Sequence, residues 1–128
     1  MQLVGLDHVV LRSADPDRLV RFYIDVLGCR EERRIDADIR LVQLRAGGSL
    51  IDILAIDGLP PGAHNLDHFC LRVNEFDPAV IRATLSAAGC VPEAPARRYG
   101  ADGFGPSIYF RDPDGNLVEL KGPPESVG

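Results

Sequence analysis

Gly105-Pro106-Ser107-Ile108-Tyr109-Phe110-Arg111-Asp112-Pro113-Asp114-Gly115-Asn116-Leu117-Val118-Glu119-Leu120 reads as a strand, a tight turn and a second strand. Residues 107–111 alternate polar and apolar, the period of a half-buried strand. Asp-Pro-Asp-Gly-Asn supplies a fixed φ, a residue tolerant of positive φ and side chains that hydrogen-bond locally, so the chain reverses there. On the return strand Leu117 and Glu119 share one face, and Val118 and Leu120 share the other. A carboxylate flanked by large apolar residues needs a cation, a donor or water, because an unpaired buried charge is costly. The bland alternative is an edge strand with one wet face.

Working outward, the same grammar appears twice. Residues 6–11 read as a strand, with His8 and Val10 on one face and Val9 and Leu11 on the other. Asp15-Pro16 opens a helix, Asp15 as N-cap and Pro16 at the first helical position. Leu19, Phe22, Tyr23, Val26 and Leu27 form its apolar stripe, and Gly28 fits a left-handed terminator. The mixed-sign run 30–34 reads as a solvated element end. Residues 39–45 and 50–56 look like a hairpin joined at Ala46-Gly47-Gly48-Ser49, with Leu50, Asp52 and Leu54 sharing a face. Residues 57–65 are rich in Gly and Pro and read as a linker.

The pattern then restarts. Asp67-His68-Phe69-Cys70-Leu71-Arg72 echoes Asp7-His8-Val9-Val10-Leu11-Arg12. Asp77-Pro78 opens a second helix with the stripe Ile81, Leu85 and Ala88, and Gly89-Cys90 ends it as Gly28-Cys29 ended the first. Residues 92–98 are too proline-rich for a central strand, 100–105 read as a flexible loop, and 123–128 as a frayed tail. Each repeat runs strand, helix, then about three strands, too little to bury a core alone, so the two halves must pair.

With 128 residues the chain is expected to form one domain. Its modules span about 1–58 and 66–122, with a linker at about 59–65 and a tail at 123–128. A formal charge of −5 argues against a nucleic-acid partner. No apolar run approaches membrane length and no signal peptide is evident. Three cysteines without metal-finger spacing suggest a reduced, cytoplasmic protein.

Four candidate metal ligands fall at repeat-related places, all opposite the faces assigned to the helices. His8 matches His68, and Asp52 matches Glu119. Two imidazoles with one or two carboxylates suit one divalent metal such as Zn, Mn, Fe, Co or Ni. Each residue alone reads more simply as a hydrogen-bonded histidine or a solvated carboxylate. The four together are what point to a metal, with Asp52, the shorter arm, the weakest member. Asp7 and Asp67 point to the other face. His64 lies in the linker and reads as exposed, and Cys70 as core packing.

These residues carry a resemblance. Asp7-His8-Val9-Val10-Leu11, Phe22-Tyr23 with Leu27-Gly28, Asp67-His68 and the stretch from Tyr109 to Glu119 resemble the vicinal oxygen chelate superfamily, which includes glyoxalases, bleomycin-resistance proteins and extradiol dioxygenases. The resemblance implies an α+β fold of two paired βαβββ modules, a U-shaped, incompletely closed mixed sheet with helices on its outer face. It implies His8, His68 and Glu119 as ligands, with Asp52 where related lyases and epimerases carry a fourth, usually Glu or Gln. It also implies Glu119 as a catalytic base and Tyr109 as a substrate-contacting catalytic residue.

The implied activity is that of a metal-dependent lyase or isomerase acting on a small, vicinally oxygenated substrate through enolate chemistry. An extradiol dioxygenase using Fe(II) is the alternative, although no histidine precedes Tyr109 where that motif carries one. A metal-free antibiotic-binding protein is a third reading. Arg72, if it faces the cavity, is a candidate anchor for an anionic substrate, as are Arg40, Arg97 and Arg98 with less warrant. A homodimer is expected, with modules paired within one chain or swapped between two.

Overall fold

The computed structural model describes residues 1–60, 63–113 and 116–126. Strand, helix and three strands occur twice in order: β1 (Leu3–Ser13), α1 (Pro16–Asp25), β2 (Arg30–Asp36), β3 (Arg40–Ala46), β4 (Ser49–Ala55), then β5 (Leu66–Val73), α2 (Pro78–Ala87), β6 (Ala96–Gly100), β7 (Gly103–Arg111) and β8 (Leu117–Lys121). The strands follow the orders β2-β3-β4-β1 and β5-β8-β7-β6, each with parallel and antiparallel neighbours. The doubled α+β pattern expected from sequence is therefore present. By contacts the residues fall into two compact units, His8–Asp67 and Met1–Asp7 with residues from 68 onward. The chain passes from one unit to the other inside β1 and again inside β5.

In the unit His8–Asp67, β1 runs parallel to β4, with His8 opposite Leu50 and Val10 opposite Asp52. β3 runs antiparallel to β4, which sets Gln43 opposite Asp52. α1 begins where the Asp15 side chain accepts the Arg18 amide at 3.3 Å and Pro16 presets the first turn. Gly28, at φ +79°, takes the left-handed conformation that closes it. Leu19, Val20, Tyr23 and Ile24 pack on Val42, Leu44 and Ile53. Each fully buried aliphatic there contributes roughly 1.5–3 kcal/mol.

That inner stripe differs from the expected one. Phe22, Val26 and Leu27 are exposed. The helix ends at Asp25, so Val26 and Leu27 lie past its last turn, and the buried face is rotated toward Val20 and Ile24. The run 30–34, expected as a solvated end, is strand β2 paired to β3. It lies at one end of the strand order, where charged side chains discourage pairing with another chain, and Glu32 is ion-paired to Arg45.

In the other unit, β5 runs parallel to β8 and β7 antiparallel to it. Cys70 and Tyr109 both lie opposite Glu119, and Arg72 and Ser107 both lie opposite Lys121. The hairpin read from sequence is the β7–β8 pair. Asp114 and Gly115 of its turn lie outside the described residues, but Asp112 accepts the Asn116 amide at 2.9 Å beside them. Ile81 and Leu85 of α2 pack on Val73, Ile108 and Leu120. Ala88, expected in that stripe, is the exposed C-cap.

Residues 92–98, read as too proline-rich for a central strand, run into an end strand, while part of the expected loop 100–105 is ordered by pairing. Ala96–Gly100 is β6, an end strand held only by β7, a position that tolerates the prolines just before it. The expected loop 100–105 shrinks to a turn, because β7 already begins at Gly103 and the buried Asp7 carboxylate accepts the Ala101 amide at 3.0 Å. The tail is held rather than frayed as far as Glu125. Its amide donates to the Phe104 carbonyl at 2.8 Å, and its carboxylate takes both Nε and Nη2 of Arg97.

Candidate metal centre

Strand alternation divides β5, β7 and β8 into two faces. Leu71, Val73, Ile108, Phe110 and Leu120 turn to α2 and the core. His68, Cys70, Ser107, Tyr109, Glu119 and Lys121 occupy the opposite face. That face is not wet: Glu119 is 1% exposed and β8 is flanked by strands on both sides, which removes the edge-strand alternative.

Glu119 Oε1 lies 3.3 Å from His68 Nε2. The Tyr109 hydroxyl lies 3.2 Å from the same nitrogen, its ring edge-on to the imidazole. Burial first, then the charge of Glu119, pushes the Tyr109 phenol well above its usual pKa, so it stays protonated at neutral pH. A protonated phenol can donate to an unprotonated Nε2. Nε2 and the carboxylate would then face each other as two acceptors, an arrangement that needs a proton or a cation between them.

His8 follows Asp7 directly in β1 and is 4% exposed. Among the described residues, His68 and Glu119 are buried groups of metal-ligand type within one unit, and His8 is a buried one in the other. Asp7, expected on the other face and away from ligand chemistry, is buried, and its carboxylate accepts the Ala101 amide. Asp67 pairs with Arg12 at 3.0 Å.

Asp52 belongs to the same unit as His8. It is buried in the unit His8–Asp67 and accepts a hydrogen bond from Gln43 Nε2 at 3.1 Å. Gln43 and Asp52 stand in the first repeat where Tyr109 and Glu119 stand in the second. Sequence reading missed Gln43, because its place depends on the β3–β4 register. It also missed Lys121, buried to 1% and donating to the Gly103 carbonyl at 2.9 Å. Its position two residues after Glu119 was the available signal. His64 is exposed, as expected.

The arginines separate cleanly. Arg72 pairs with Asp102 at 3.0 Å and donates to the Leu6 carbonyl, and Arg97 is taken by Glu125. Arg40 is exposed on β3. Arg98 donates Nη1 to Ser107 Oγ at 2.8 Å and lies 4.4 Å over the Tyr109 ring.

The glyoxalase/bleomycin resistance protein/dioxygenase family model matches residues 5–120. The chain belongs to this superfamily. Among its relatives, the Salmonella typhimurium virulence protein STM3117 is 29% identical over 90% of this chain and 81% of its own length. The Mycosarcoma maydis glyoxalase domain-containing protein RDO1 is 30% identical over 91% of this chain and 66% of its own. Two solved structures share the superfamily fold. Methylmalonyl-CoA epimerase from Mycobacterium tuberculosis has TM-score 0.73 and 23% identity, covering 96% of this chain and 90% of that one. The Mn(II)-bound glyoxalase from Novosphingobium aromaticivorans has TM-score 0.74 and 24% identity, covering 99% of this chain and 43% of that one.

The Novosphingobium glyoxalase holds Mn(II), and the donor types here fit a divalent ion. Two imidazoles and a carboxylate, all buried, are a borderline-hard set suited to first-row divalent ions. Two bonds of about 2.1 Å at a tetrahedral angle separate their donor atoms by roughly 3.4 Å, close to the spacing of His68 and Glu119.

Proposed function

We propose that the protein is a metal-dependent enzyme of the lyase or isomerase type, and that it moves a proton on a small substrate with two adjacent oxygens. His8, His68 and Glu119 would hold the metal, with Asp52 tied to Gln43 instead. The observation that carries this reading is the buried Glu119 carboxylate 3.3 Å from His68 Nε2. A divalent cation held there supplies Lewis-acid stabilisation of charge developing on substrate oxygens.

The rest is work for the chain's own residues. Glu119, a buried carboxylate, is the group placed to take and return the proton. Tyr109, kept protonated and edge-on to the His68 ring, would turn its single O–H to a substrate oxygen once His68 Nε2 is taken by the metal. Apolar Val118 and Leu120 fix β8 so that Glu119 cannot swing to solvent. The similarity to a methylmalonyl-CoA epimerase and a Mn(II)-bound glyoxalase supports this class of chemistry without naming the substrate.

Tyr109 beside a histidine and a carboxylate also supports a second reading, ring cleavage of a diol with Fe(II) and oxygen. One pair of assays separates the two. Mn(II)-loaded protein in D2O is expected to wash deuterium into the carbon next to the carbonyl of some member of a 2-hydroxy- and 2-oxo-carbonyl panel. Protein reconstituted anaerobically with Fe(II) is expected to consume no oxygen with catechols. Oxygen uptake without deuterium exchange would reverse the assignment.

A further inference from the structure

Among the described residues, Arg98 and Arg111 lie on the His68–Glu119 face of β6 and β7; Arg111 is exposed at the strand end, and Arg98 is the half-buried one. Its position opposite Gly105 places it on the face of Ser107 and Tyr109. It is half-buried, and two contacts fix its guanidinium. Nη1 donates to the oxygen atoms of Ser107, at 2.8 Å to Oγ and 3.3 Å to the carbonyl, and the plane lies over the Tyr109 ring. Among the described residues no carboxylate pairs with it. Glu93 and Asp112 line the same groove of about 790 Å³ as Arg98 and Tyr109, yet neither comes within ion-pair distance of Arg98.

A guanidinium has two edges. Ser107 occupies the Nη1 side, which leaves the Nε–Nη2 edge, the geometry that takes a carboxylate in two parallel hydrogen bonds. Holding a long cation in place beforehand lowers the ordering cost when an anion arrives. The Tyr109 ring has Arg98 over its face and His68 at its hydroxyl, so a ligand that extends from the hydroxyl across the ring meets both.

We infer that Arg98 is a specificity-determining residue that receives a carboxylate at the far end of the substrate, so that the substrate class is a vicinally oxygenated carboxylic acid. This rests on the metal-enzyme reading above. The test uses two hydroxamates with the same chelating head. Acetohydroxamate carries no distal charge, and the monohydroxamate of succinic acid carries a carboxylate.

In calorimetric titrations of Mn(II)-loaded protein, the carboxylated probe is expected to bind about tenfold tighter than acetohydroxamate. Arg98→Met, which keeps an apolar stem over Tyr109, is expected to abolish that preference while acetohydroxamate affinity stays within about twofold, and Arg98→Lys to restore part of it. Equal affinity in the unaltered protein, or a preference that survives Arg98→Met, overturns the assignment. If elemental analysis shows no stoichiometric Mn(II), the metal reading fails by itself. Propionate titrated into metal-free protein then decides the anion site: a shift of the Arg98 Nε resonance supports it and no shift overturns it.

Discussion

Glu119 Oε1 and His68 Nε2 stand 3.3 Å apart on neighbouring parallel strands, and both residues are almost fully enclosed. Desolvation makes a lone carboxylate costly at such a place, so the pair is stable only with a positive charge or a proton shared between its members. A divalent cation fulfils that need at neutral pH without protonating the imidazole.

His68→Ala and Glu119→Gln are therefore expected to fold but to lose most of the metal that the unaltered protein retains after dialysis. Elemental analysis beside circular dichroism checks this. Full metal content in either variant would remove that residue from the site.

Tyr109→Phe deletes a hydroxyl that meets His68 Nε2 and Glu119 in the metal-free protein, and nothing from the proposed ligand set. The expected cost is about 1 kcal/mol in urea denaturation, with metal content unchanged. Loss of metal in this variant would make the tyrosine part of the metal site.

Gly100→Ala tests the close packing around Asp7. A Cβ at Gly100 would sit 2.4 Å from Asp7 Oδ2 and 2.8 Å from Lys121 Cδ. Overpacking of this kind is expected to destabilise by about 1–3 kcal/mol in the same denaturation assay. Gly48→Ala, where a Cβ meets nothing within 4 Å, is the control expected to change little.

The tail contact titrates. Hydrogen bonding from Arg97 lowers the Glu125 pKa below the ordinary carboxylate range. A carboxyl depressed in the folded state contributes its stabilisation above its unfolded pKa, about 4.3, and loses it as the pH falls toward the lower folded value. A carboxyl ¹³C titration is expected to show Glu125 returning to the ordinary range in Arg97→Gln. An unchanged midpoint would mean that the Arg97 contact does not form in solution. The pair is exposed, so a large change in global stability is not expected.

Much of this arrangement was legible before any coordinates. Ser107 and Tyr109 alternating with Ile108 and Phe110 announced a strand with two different faces, and Asp15-Pro16 and Asp77-Pro78 announced both helix starts. What stayed hidden depends on pairing between distant residues. Ala-Arg-Arg-Tyr-Gly carries no apolar alternation, and β6 exists because β7 offers it a partner. Gln43 meets Asp52 only through the β3–β4 register. Arg72, Arg97 and Arg98 look alike in sequence, and Asp102 and Glu125, each 28 or more positions away from its arginine, set the first two apart from the third.

His8, His68 and Glu119 are proposed to share one cation. An anomalous-difference map from crystals grown with Mn(II), recorded on both sides of the manganese absorption edge, tests it most directly. A single strong peak is expected, in bonding contact with a nitrogen of each histidine and an oxygen of Glu119. No peak there, or a peak held by other residues while His68 and Glu119 remain hydrogen-bonded to each other, would contradict it.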